Sequence, residues 1–219
     1  DFTSAPVYTV DKSAPVVNLI ARTSITPTNA ITVDFSVIFS EAVNGVDISD
    51  FRLTTNAGAS ISNVSGSGNA YLVSIATGLG NDNIKLDFIN NESVIDLAGN
   101  KVGGNFSNEE VYSVDRSVPF VTSIIRANPN QGDASSVDFT VSFSEAVNGV
   151  DGGDFFLSTV NGATINNIFG GGNIYTVSVS IKPGTDTIRL DLIDDDSIFD
   201  NAGNKLGNMG TGNGNFTNG

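Results

Sequence analysis

The sequence predicts an all-β protein of two tandem seven-strand β-sandwiches, the second lacking its own last strand. Three observations carry this. Residues 11–104 align without a gap on residues 115–208 at a constant offset of 104, which is a tandem duplication. The apolar stretches alternate with period two, as in Val33-Asp-Phe-Ser-Val-Ile-Phe39 and again in Val137-Asp-Phe-Thr-Val-Ser-Phe143. Val, Ile, Phe, Thr and Ser dominate these stretches, Gly and Asn fill the rest, and no window repeats apolar residues at helical spacing for three turns.

In repeat 1 the first strand reads as Val16–Arg22 and the second as Ile31–Ser40. On the second, Val33, Phe35, Val37 and Phe39 share one face, and Asp34 and Ser36 take the other, as on a half-buried strand. Asp50–Thr55 is the third strand and Ser60–Val64 the fourth. The turn Gly66–Asn69 follows, with glycines free to take positive φ. Tyr71, Val73 and Ile75 mark the fifth strand, and Ile84, Leu86 and Phe88 the sixth. A turn at Asp96–Asn100 leads into the seventh, which ends at Val111–Val114. Repeat 2 follows the same order. A unit of about 100 residues built from short strands has the size of an immunoglobulin-like Greek-key sandwich. The division expected is a leading strand and linker at 1–11, a first domain at 12–114 and a second at 115–219.

Three motifs carry a family resemblance: Phe39-Ser-Glu-Ala-Val43, Asp50-Phe-Arg-Leu53 and Asp96-Leu-Ala-Gly-Asn100, each answered in repeat 2. In these the chain resembles the bacterial immunoglobulin-like domains that recur in adhesins, surface-layer proteins and other cell-surface polypeptides. The resemblance spans both repeats and implies an extracellular sandwich used as a spacer, adhesive or structural unit. Strings of such domains often hold calcium at their junctions as cadherins do.

In a sandwich of this topology the first strand starts at the pole where the second-to-third and sixth-to-seventh strand loops meet. Asp11, Glu41, Asp96 and Asn100 are therefore expected at one pole, with Asp47 and Asp50 just beyond Glu41. Repeat 2 supplies Asp115, Glu145, Asp200, Asn204, Asp151 and Asp154. Carboxylates gathered at one pole repel each other unless a cation neutralises them. Oxygen ligands without His or Cys favour Ca²⁺, which extracellular modules bind at about 10⁻⁴–10⁻³ M. The same residues also read as turn chemistry, because Asp and Asn bond their own backbone and Gly accepts positive φ.

Other functions fit less well. A net charge of −14 repels nucleic acid and anionic membranes, and no apolar run reaches membrane-spanning length. With no His and no Cys the usual nucleophile–base pairs cannot be built, so no enzymatic activity is expected. The absence of Trp argues against a sugar-stacking cleft.

Val7-Tyr-Thr-Val-Asp11 repeats as Val111-Tyr-Ser-Val-Asp115, the end of the seventh strand of repeat 1. No third copy follows Asn215-Phe216-Thr217, which stands six residues late after an insertion around Gly207–Gly214. An unfilled strand position invites a strand from elsewhere. Phe2, Val7, Tyr8 and Val10 match the residues that would fill it, so residues 1–10 are expected to complete the second domain of a neighbouring copy. The sequence thus predicts a cell-surface or extracellular fibre of self-associating copies, or adjacent repeats of one polypeptide. The alternative is a fragment of a long adhesin or a carbohydrate-binding module.

Overall fold

A computed structural model describes residues 8–107, 109–127, 135–159, 161–184 and 187–217. It divides into two compact units, Asp1–Asp115 and Arg116–Gly219. Both are all-β and antiparallel.

Unit 1 contains β1 (Val17–Arg22), β2 (Thr32–Phe39), β3 (Val43–Asn44), β4 (Phe51–Thr54), β5 (Ser60–Ser67), β6 (Ala70–Ala76), β7 (Asp82–Phe88), β8 (Ile95–Asp96) and β9 (Val111–Val114). One sheet runs β1-β2-β6-β5 and another β4-β7-β9, with β3 and β8 paired as a short ribbon. The alternation in β2 works as expected: Val33, Phe35, Val37 and Phe39 are buried and the residues between them are less so. They meet Ile84, Leu86 and Phe88 of β7 and Tyr112 and Val114 of β9 in one apolar core. Phe39 and Phe88 join the two sheets edge to face, with ring centroids 5.7 Å apart. Each such ring, fully buried, contributes about 1.5–3 kcal/mol.

The hairpin β5–β6 closes on Gly68-Asn69, because Ser67 pairs with Ala70. Gly66 is held at φ +138, and a Cβ there would lie 2.4 Å from the carbonyl oxygen of Ala70, so only glycine fits. The β3–β8 ribbon was invisible to periodicity because each strand has two residues. It is fixed from outside by Tyr71, whose hydroxyl donates to the carbonyl of Val43 at 2.9 Å.

Unit 2 contains β10 (Val121–Arg126), β11 (Ser136–Phe143), β12 (Val147–Asn148), β13 (Phe155–Ser158), β14 (Thr164–Gly171), β15 (Ile174–Ser180), β16 (Arg189–Leu192) and β17 (Phe199–Asp200). Its sheet β10-β11-β15-β14 matches that of unit 1, and β12 and β17 form the same ribbon. Tyr175 holds that ribbon as Tyr71 does, donating to Val147 at 2.9 Å. The other sheet has β13 and β16 alone among the described residues.

Candidate metal centre

The linker, the β2–β3 turn and the β8 turn bring three carboxylates of unit 1 together. Oxygens of Asp11, Glu41 and Asp96 all lie within 4.8 Å of one another. Pairing of Val43 with Asp96 across the ribbon sets this up, since Glu41 stands two residues before Val43. Asp96 is buried, and its Oδ1 accepts the backbone N–H groups of Ala98 and Asn100, each at 2.8 Å. Its Oδ2 accepts Nδ2 of Asn100 at 2.8 Å, and that same nitrogen donates to the carbonyl of Asp11 at 3.3 Å. Asn100 therefore ties the linker to the loop that presents Asp96.

The charges respond to this packing. Glu41 is pushed above the ordinary carboxylate range, first by desolvation and then by the negative charges of Asp11 and Asp96. For Asp96 desolvation works against ionisation, but the hydrogen bonds from Asn100, Ala98 and Gly99 together hold its carboxyl below the usual range. A rigid ionised carboxylate thus stands beside one that is short of counter-charge. Calcium–oxygen bonds of about 2.3–2.6 Å let one ion bridge oxygens up to about 5 Å apart, so the spacing of the three fits a shared cation.

Unit 2 repeats the frame. Asp200 Oδ1 accepts the N–H groups of Ala202 and Asn204 at 2.8 and 2.9 Å, and Oδ2 accepts Nδ2 of Asn204 at 2.8 Å. Val147 pairs with Asp200, and Glu145 stands two residues before Val147 as Glu41 does before Val43. Asp115, the sequence counterpart of Asp11, ends unit 1, where its N–H donates to the carbonyl of Thr28 at 3.0 Å.

The structure does not add Asp47, Asp50, Asp151 or Asp154 to these groups. Asp47 and Asp50 form a capping box on the 3-10 turn Ile48–Asp50, with Asp50 Oδ2 accepting the N–H of Asp47 at 2.7 Å. Hydrogen bonds from the Ser49 side chain and backbone lower Asp47. Asp50 Oδ1 is taken by the Ser93 hydroxyl at 2.6 Å. Asp151 and Asp154 repeat this box, with Ser197 in place of Ser93, and burial raises Asp154. These acids are spent on local turns, a use that Asp and a following acid three residues on could have signalled. Asp82 is likewise spent, accepting from the Thr55 hydroxyl and the N–H groups of Asn56 and Ala57.

No family model and no curated protein matches the sequence. Among solved structures the chain is similar to the N-terminal part of the bacterial S-layer protein SbsC, at a TM-score of 0.32 and 15% identity. That match covers 81% of this chain and 43% of the other, so this chain spans less than half the length of that structure.

A second feature is the edge of β16 away from β13, which among the described residues is paired by the isolated bridge of Leu192 to Phe216 and by no strand. In unit 1, β9 pairs with the first half of β7, Tyr112 opposite Ile84 and Val111 opposite Lys85. The counterparts Thr187 and Ile188 in unit 2 lie outside any strand. Val33 and Ile84 are 3% and 0% exposed, whereas their counterparts Val137 and Ile188 are only partly buried. The six-residue insertion does not disturb the approach to this edge. Asn215 accepts from the N–H of Asp194 at 2.7 Å as Asn105 does from Asn90 at 2.8 Å. Phe216 bridges Leu192 as Phe106 bridges Phe88. Of the residues expected to supply a strand, Phe2 and Val7 lie outside the described residues. Tyr8 and Val10 are 89% and 73% exposed and belong to no strand.

Proposed function

We propose that this chain is a non-enzymatic structural protein of the cell exterior, a unit of a linear fibre of immunoglobulin-like sandwiches. Strand pairing carries the load, and calcium at the acidic pole of each sandwich limits bending. The observation that carries this reading is the recurrence of one architecture with one acidic pole. The orders β1-β2-β6-β5 and β4-β7-β9 support an immunoglobulin-type assignment, since that fold divides its seven strands four and three in this way. In unit 1, Asp11, Glu41 and Asp96 would hold the ion, with Asn100 fixing the linker. By the 104-residue repeat, Asp115, Glu145, Asp200 and Asn204 are the second set, so the same stiffening is expected where one sandwich follows another. Calcium supplies charge neutralisation and a cross-link, nothing more. Copies join end to end by donating a strand, a heterologous interface that propagates as an open filament where its rotation does not close a ring.

Small-angle scattering and thermal melting of the full chain with calcium or with EDTA test the reading. Calcium is expected to raise the melting temperature and lengthen the maximum dimension in solution. Identical curves in the two buffers would overturn it.

A further inference from the structure

We propose that unit 2 is a receptor for one β-strand, and that its occupant is the Val7–Asp11 segment of a second copy of this chain. The proposal rests on the fibre reading and names its joint. In unit 1 the corresponding place holds Val111-Tyr-Ser-Val-Asp115, which differs from Val7-Tyr-Thr-Val-Asp11 by a single Ser-to-Thr change. There Tyr112 and Val114 are 0% and 2% exposed. Tyr8 and Val10 carry the same two side chains in solvent, while unit 2 keeps Val137 and Ile188 partly uncovered.

A buried polar atom lies on the same strand, β16. Asp191 is 2% exposed and its Oδ1 has no hydrogen-bond partner. Its counterpart Asp87 takes the Ser107 hydroxyl on Oδ1 at 3.0 Å, on the segment leading into β9. In unit 2 the counterpart of Ser107 is Thr217 of the same chain, so what a docked segment would supply at this edge is apolar cover.

The pairing in unit 1 sets the register. Ser113 lies opposite Asn83, Tyr112 opposite Ile84 and Val111 opposite Lys85. Shifted by the repeat, Thr9 docks opposite Thr187, Tyr8 opposite Ile188 and Val7 opposite Arg189. The Tyr8 hydroxyl then reaches toward the carbonyl of Asp138, as Tyr112 does to Asp34. Phe216 already occupies the place of Phe106, so the docked segment needs no contribution from Phe2. The joint is thus a short strand centred on Tyr8, not the whole of residues 1–10.

Because the chain has no Cys, single cysteines report the contact unambiguously. Full-length Thr9→Cys and Thr187→Cys chains are mixed under mild oxidation and the disulfide-linked heterodimer is followed on non-reducing gels. Docking raises the effective concentration of the two thiols, so this pair is expected to cross-link at least about tenfold faster than Thr9→Cys with Ser60→Cys on the edge strand β5. Adding Tyr8→Ala to the Thr9→Cys chain, a change at an exposed side chain, is expected to remove the advantage. Equal rates for the two pairs would overturn the proposal. So would binding of a labelled peptide of residues 5–11 without cross-linking between copies, since the occupant would then come from elsewhere. Neither result touches the calcium response, which fails or stands on its own curves.

Discussion

The Tyr112 hydroxyl donates to the backbone carbonyl of Asp34 at 2.9 Å, fastening β9 to the strand β2 of the opposite sheet. The same oxygen accepts the N–H groups of Thr23 and Ser24 at 2.9 and 3.0 Å, and the ring meets Phe35 edge to face at 5.1 Å. One residue of a four-residue strand therefore closes the sandwich at its seam. Tyr112→Phe keeps the packing but leaves the Ser24 amide to find another partner, while the Thr23 N–H keeps its bond to the Asp34 carbonyl at 3.2 Å. We expect it to cost about 1–3 kcal/mol in urea unfolding, and Tyr112→Ala about 3–5 kcal/mol.

Acid should unfold the pole of unit 1 through Asp96. Its carboxyl sits below its ordinary range when folded, so it contributes stability that is present above the unfolded value of 3.8 and lost as pH falls through the folded one. Melting temperature measured in calcium-free buffer is expected to drop below about pH 4 more steeply for the parent than for Asp96→Asn, whose side chain does not titrate. Parallel profiles for the two proteins would show that Asp96 does not carry the acid sensitivity.

Glu41 has the opposite sign. Its carboxyl is raised by desolvation and by Asp11 and Asp96, so its folded form favours the proton. The stability linked to it is present below the model-peptide value of 4.5 and lost as pH rises through the raised value. Glu41→Gln should therefore raise the melting temperature slightly at pH 7 in EDTA and abolish the gain on adding calcium. A calcium gain equal to that of the parent would remove Glu41 from the ligand set.

These contrasts show what a sequence makes legible. Period-two alternation put Val33, Phe35, Val37 and Phe39 on the core face, and the 104-residue offset placed Glu41 and Asp96 with their copies Glu145 and Asp200. The β3–β8 ribbon that joins Glu41 to Asp96 is too short to leave a period, and its anchor is a hydrogen bond from Tyr71, 28 residues away. Asp50 and Asp154 looked like further ligands because composition cannot distinguish a carboxylate facing a cation from one buried under Ser93 or Ser197. Phe216 stands six residues late in the sequence, yet the insertion before it folds back and delivers it to the bridging place that Phe106 holds in unit 1.

That insertion should be dispensable. Gly207 and Gly214 are neighbours in space: a Cβ on Gly207 would lie 2.3 Å from the nitrogen of Gly214, and φ there is +65. Residues 208–213 are an excursion between them, fastened by Gly210 N–H to Asp196 at 3.1 Å and Gly212 N–H to the carbonyl of Asp194 at 2.9 Å. Removing them leaves Lys205-Leu206-Gly207-Gly214-Asn215, the pattern of Lys101-Val102-Gly103-Gly104-Asn105 in unit 1, which reaches Phe106 with no insertion. Closing a loop shorter by this much changes its entropy by only about 0.5 kcal/mol, and the bonds lost, from Asn208, Gly210 and Gly212 to Lys205, Asp196 and Asp194, have their donors in an exposed excursion. Deletion of 208–213 is expected to shift unfolding by no more than about 1 kcal/mol and to leave Thr187→Cys cross-linking unchanged. A collapse of unit 2 in that variant would mean that the excursion itself, rather than Asn215 and Phe216, holds the edge of β16 in place.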